Sequence, residues 1–184
     1  MSDFSSDSTE TGAQARARWV AEACQLAHLE AGGAAPLRLS ETSWVGRLPD
    51  WLTEAPHVRA ERALLAGVVC CAGVLRRTID GRILRPLADR LGPDRLSAAM
   101  SIRGKIAEPE AWVWDADPVE ALTGLGGELL LREAALPLAF TQRLAALFPP
   151  SQRLACCDAE SIRETFRIAQ TLWQSGVSIE ERAA

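Results

Sequence analysis

The stretch that most constrains this chain runs from Ala63 to Leu75, thirteen consecutive residues without a charge. Leu64, Val68, Cys71, Ala72, Leu75 and Ile79 recur with the 3.6-residue period of a helix. Leu65, Val69 and Cys70 form a second row beside them, so the apolar surface extends beyond one face. A helix apolar over most of its circumference has to be covered on several sides, which places it in the middle of a bundle. It falls short of the ~18 apolar residues that make a membrane span, and Arg59, Glu61, Arg62, Arg76 and Arg77 flank it. Gly67 and Gly73 cost this helix about 1 kcal/mol each in propensity, an expense that close packing against a neighbour offsets.

The rest of the sequence supplies the surrounding helices. Residues 1 to 12 are rich in Ser, Thr and Asp and read as a disordered, mildly acidic tail. From Ala13 a helical pattern carries Trp19, Ala23, Leu26 and Ala27 to a stop at Gly32-Gly33. Leu48-Pro49-Asp50-Trp51-Leu52 reads as a short helical turn that buries its tryptophan and leucine. Asp80-Gly81 breaks the chain after the central helix. An amphipathic helix then places Leu84, Leu87, Ala88 and Leu91 inward, and Gly92 ends it. Pro93 opens a short helix through Leu96 and Met100. A connector over 103–117 holds Trp112 and Trp114. Asp117-Pro118 begins the next helix, with Val119, Leu122, Leu125, Leu129 and Leu130, and Gly124, Gly126 and Gly127 are expected to kink or split it. Pro137 opens a helix with Phe140, Leu144 and Leu147 inward, closed by Phe148-Pro149-Pro150. The last helix starts near Asp158, turns Ile162, Phe166, Ala169, Leu172 and Trp173 to one side, and stops at Gly176. No alternating β-branched stretch stands out. The expected fold is all-α, an irregular single-domain bundle of about seven helices over 13–184 behind the tail at 1–12.

With 48% apolar and 24% charged residues the composition is that of a globular chain. A formal net charge of −4 argues against a general nucleic-acid binder. The opening residues lack the cationic and apolar regions of a secretory signal, so a cytoplasmic location is expected. Five cysteines, two pairs of them adjacent (Cys70-Cys71 and Cys156-Cys157), suit a reducing compartment better than a disulfide framework.

Several constellations are candidates for chemistry. Cys24 and His28 stand at i and i+4 and could share a metal ion with Cys70, Cys71, Cys156, Cys157 or His57, but no C-x-x-C or H-E-x-x-H spacing occurs and free cysteine is commonly a small core residue. Cys70 and Cys71 sit in the most apolar helix, and Asp158 beside Cys156-Cys157 opposes thiolate formation, so a nucleophilic cysteine is poorly supported. Gly124-Leu125-Gly126-Gly127 lacks the Lys-Ser/Thr of a phosphate loop, and Glu128 follows it; helix packing explains these glycines better. No catalytic, cofactor-binding or metal-ligating set is therefore assigned. The surface candidates are arginines and tryptophans. Arg76, Arg77, Arg82 and Arg85 lie in a locally basic stretch, which is either a solvated face with Arg85 and Asp89 paired at i,i+4 or a docking face for an acidic protein. Trp112 and Trp114, if exposed, are interface anchors.

The run Ala63-Leu64-Leu65-Ala66-Gly67 through Leu75-Arg76-Arg77, then Asp80-Gly81, Leu84, Leu87, Leu91-Gly92 and Leu96, resembles the SctK (YscK-like) accessory proteins of bacterial type III secretion systems. Leu129-Leu130-Leu131, Leu136-Pro137-Leu138, Arg143-Leu144 and Phe148-Pro149-Pro150 are similar to that family's C-terminal half, and Leu-Pro-Asp-Trp-Leu at 48–52 fits upstream of it. The resemblance spans about 44–150 and is carried by packing residues. It implies a non-enzymatic helical adaptor of the sorting platform, without cofactor. Such an adaptor is held at the inner membrane through the secretion apparatus and bridges the inner-membrane ring's cytoplasmic domain to the pod protein, with no nucleic acid and no direct membrane insertion. A small metal- or thiol-dependent helical enzyme and a secretion chaperone or regulator remain as alternatives.

Overall fold

In the computed structural model, residues 49–103, 117–136, 138–151 and 157–181 are described. The chain separates into two compact units, Met1–Thr53 and Glu54–Ala184. The described part of the first is a 3-10 turn, Asp50–Thr53, with Trp51 and Leu52 both buried. The expected tail, the helix from Ala13, and Trp112 and Trp114 lie outside the described residues.

The described residues of the second unit are all-α: α1 (Pro56–Cys70), α2 (Ala72–Arg77), α3 (Gly81–Leu91), α4 (Pro93–Ser101), α5 (Pro118–Glu133), α6 (Leu138–Ala145) and α7 (Ala159–Glu181). Since α1 and α2 are one rod interrupted only at Cys71, the described residues hold six helical rods, slightly under the expected number. The interruption is local. Cys71 sits at φ −98°, ψ 14°, and its N–H still donates to the Gly67 carbonyl.

The apolar run behaves as its composition dictates. Every residue from Ala63 to Gly73 is buried, and α1 packs against α5, α7, α4 and α3. Burying an average leucine or valine side chain stabilises a fold by about 1.5–3 kcal/mol, so this single rod accounts for a large part of what holds the bundle together. Leu87 and Leu91 of α3, Leu96 and Ala99 of α4, Leu122, Leu125 and Leu129 of α5, and Ile162 and Ala169 of α7 complete one continuous core.

The closest approach is between α1 and α5, and glycine makes it possible. A Cβ built on Gly126 would stand 2.7 Å from the Gly67 nitrogen and nearer still to the Ala63 carbonyl, while one on Gly67 would overlap the Leu122 carbonyl. Backbone therefore lies directly on backbone, an arrangement open only to a residue without a side chain. On another side of α5, a Cβ on Gly124 would come 2.7 Å from the Pro149 carbonyl oxygen, and Gly127 forms the floor beneath the Phe148 ring. The segment after α6 is thus laid across a second face of α5, formed by Gly124 and Gly127 and turned away from α1, and Phe148 is buried there.

Three expectations are corrected. Gly124, Gly126 and Gly127 do not split α5, which is continuous over Pro118–Glu133, because the contacts they permit outweigh their helix cost. Gly176 does not stop α7, which continues to Glu181; an isolated glycine within a helix costs only about 1 kcal/mol. Ile79, counted with the inward row, is 97% exposed. The helix has ended by then, with Thr78 extended at φ −86°, ψ 123°, so the 3.6-residue period no longer sets where residue 79 points.

The helix ends follow local chemistry. Asp80 and Asp117 accept hydrogen bonds from the N–H groups of Arg82 and Val119, each at 2.8 Å. Asp158 accepts from both the N–H and the hydroxyl of Ser161, at 2.9 and 2.8 Å. These side chains satisfy donors that the first helical turn leaves unpaired. Gly92 turns α3 into α4 at φ +82°, a left-handed conformation that glycine adopts freely.

Candidate functional site

Of the arginines singled out by sequence, the fold uses one and displays three. Arg76, in the last turn of α2, reaches to the end of α4, where its guanidinium donates to the carbonyl of Met100 at 3.1 Å and to that of Ile102. These carbonyls lie at a helix C-terminus, the negative end of its dipole, so a cation there is favourable. Arg76 thus ties α2 to α4. Arg77, Arg82 and Arg85 are exposed, and among the described residues none of them joins an ion pair. The expected Arg85–Asp89 pair is not formed; for two fully solvated side chains the Coulomb gain barely exceeds the entropy lost in pinning them.

The turn between α2 and α3 carries these side chains on a fixed frame. The Thr78 hydroxyl donates to the Val74 carbonyl at 3.0 Å, and Asp80 caps α3. Between those two ties stands Ile79, at 97% exposure the most exposed large apolar residue described. Sequence periodicity missed it. The signal that marks it is the Asp80-Gly81 pair immediately after, which ends helical geometry one residue too early for Ile79 to face inward.

A second cluster surrounds Trp173 on α7. The guanidinium carbons of Arg62 (α1) and Arg95 (α4) each lie 5.3 Å from the centre of its ring, and Arg62 also pairs with Glu54 at 3.1 Å. Trp173 is half-buried and packs against the core, as its place in the apolar stripe of α7 predicts. The two arginines extend that contact as cation–π interactions, each worth about 0.5–1 kcal/mol near a surface. Three helices are thereby joined at one ring.

The titratable groups are arranged for surface pairing. Glu164 accepts from Arg167 through both oxygens, at 2.8 and 2.6 Å, and this hydrogen-bonded guanidinium holds its carboxyl below the usual carboxylate range. Partial burial pushes Glu133 up, opposed by the charge of Arg163. Glu128, which follows the glycine run, pairs with Arg132 at 2.6 Å one turn on. A shallow depression along the start of α7 is lined by Glu160, Ser161, Arg163, Glu164 and Arg167, all from that one helix.

The cysteines divide similarly. Cys70 and Cys71 are buried in the core, and Cys157 is half-buried against its edge. His57 is exposed in the first turn of α1. Cys24, His28 and Cys156 lie outside the described residues. Among the described residues no three His, Cys, Asp or Glu side chains gather as metal ligands would, and no helix is long and apolar enough to cross a membrane. Comparison with protein-family models, with curated proteins and with solved structures finds no match to this chain.

Proposed function

We propose that this protein is a non-enzymatic adaptor of a bacterial type III secretion system, joining the cytoplasmic domain of the inner-membrane ring to the pod protein of the sorting platform. The observation that carries the reading is the order of elements over residues 63–101. An apolar rod ends in Leu75-Arg76-Arg77, a short helix ends in Leu91-Gly92, and a further short helix follows without a gap. This is the order that the resemblance to the SctK family implies, and several of the residues that carry the resemblance are ones the bundle uses to pack. Leu75, Leu87, Leu91, Leu96 and Leu129 are core, Arg76 is the α2–α4 tie, and Phe148-Pro149 lies on the α5 glycines.

The test is co-purification of the full chain with the ring's cytoplasmic domain and with the pod protein, both folded. A ternary complex is the expected result. Binding to neither partner would sink the proposal.

A further inference from the structure

We propose that the corner between α2 and α3, with Ile79 at its tip and Arg77, Arg82 and Arg85 around it, docks an acidic surface of a partner protein that offers an apolar recess for the isoleucine. This rests on the adaptor reading above and names the part of the molecule that makes one of its two contacts. The first argument is preorganisation. Ile79 is 97% exposed, yet the turn that presents it is held on both sides by the Thr78 hydroxyl on Val74 and the Asp80 cap of Arg82. The Arg76 tie to the end of α4 anchors the rod just before it. A displayed side chain on a fixed turn loses little further freedom on binding, which leaves more of its burial available as affinity.

The second argument is charge. Arg77, Arg82 and Arg85 are exposed and join no ion pair among the described residues, while the nearby Asp80 is engaged by the α3 N-terminus. The corner is therefore a positive spot on a chain of net charge −4. Guanidinium forks match carboxylates in paired hydrogen bonds. A duplex nucleic acid, by contrast, needs many phosphates neutralised at once, more than three arginines on a chain of net charge −4 supply. Leu138, the other large exposed apolar residue described, is 71% exposed but has no arginine within two positions in the sequence. It serves as the control.

Calorimetric titration of the full chain with the ring's cytoplasmic domain, with the pod protein and with a DNA duplex tests this. The variants are Ile79→Asp, the triple Arg77→Glu, Arg82→Glu, Arg85→Glu, and Leu138→Asp, each checked for an unchanged melting curve. For one of the two partners, Ile79→Asp is expected to weaken binding tenfold or more, as loss of an anchor does. The triple reversal should weaken it at least as much and invert its salt dependence, added salt now relieving repulsion where it weakened attraction in the parent. Leu138→Asp should stay within twofold. If both corner variants bind both partners within twofold of the parent, the corner assignment is wrong while the adaptor reading stands. If the parent binds neither, both fall. If the corner variants lose binding only to a DNA duplex, the acidic-protein assignment is wrong.

Discussion

At the α1–α5 crossing, glycine brings two backbones into contact; at the α2–α3 corner, glycine has nothing near it. A Cβ on Gly126 would collide with the Ala63 carbonyl, whereas one on Gly81 would meet no atom within 4 Å. The residue is the same, so the sign of its contribution is decided by its place in the helix and by what stands opposite. The arginines repeat the contrast. Arg62 and Arg76 are drawn into ring and carbonyl contacts, while Arg77, Arg82 and Arg85 reach into solvent. One region is closed by its neighbours and the other is left open to a newcomer.

Four substitutions break or sharpen this comparison. The largest effect is expected from Gly126→Ala. Propensity alone would make it stabilising by about 1 kcal/mol, but the methyl has only backbone to displace, and a loss of about 3 kcal/mol or more is expected in denaturant unfolding. A stabilised variant would show that the helices are not in backbone contact. Gly127→Ala comes next, at about 1–3 kcal/mol, because its neighbour is the Phe148 side chain. Measured in a Phe148→Ala background, which lacks the Cγ and Cδ1 atoms that the methyl would meet, the loss should be smaller, and no such second-site relief is expected for Gly126→Ala. Third, Asp80→Ala removes the α3 cap and should lower stability by about 1 kcal/mol, read as a fall in melting temperature. Smallest is Gly81→Ala, expected to raise stability by about 0.4–1 kcal/mol by restricting the unfolded chain. If the two alanine substitutions at 81 and 126 shifted the midpoint in the same direction, the contrast between the regions would be lost.

Much of the architecture was readable from spacing. The uninterrupted apolar run required a central rod, Asp117 and Asp158 marked the starts of α5 and α7, and Asp80-Gly81 marked the break before α3, though not that Asp80 caps it. What escaped was long-range. Nothing in the sequence around Gly124-Leu125-Gly126-Gly127 distinguishes a bend from a groove for another backbone; that depends on Ala63 and Gly67, some sixty residues away. Nor does any breaker announce the interruption at Cys71. Of the candidate surface, the exposure of Arg77, Arg82 and Arg85 follows from charge, but the inward use of Arg76 depends on where α4 ends. The arginines over Trp173 were illegible for the same reason, since they come from helices separated from it in sequence.

The paired glycines of α1 and α5 also fix more than a distance. Each rod is notched where it receives the other, as beams are in a lap joint, and such a joint does not slide. Moving either helix along its axis by one residue would bring Ala66, Val68 or Leu125 into the notch, so position and crossing angle are set together. The short rods that lean on this pair inherit their bearing from it, and a load applied at an outer corner is passed to a joint with no side chain to bend.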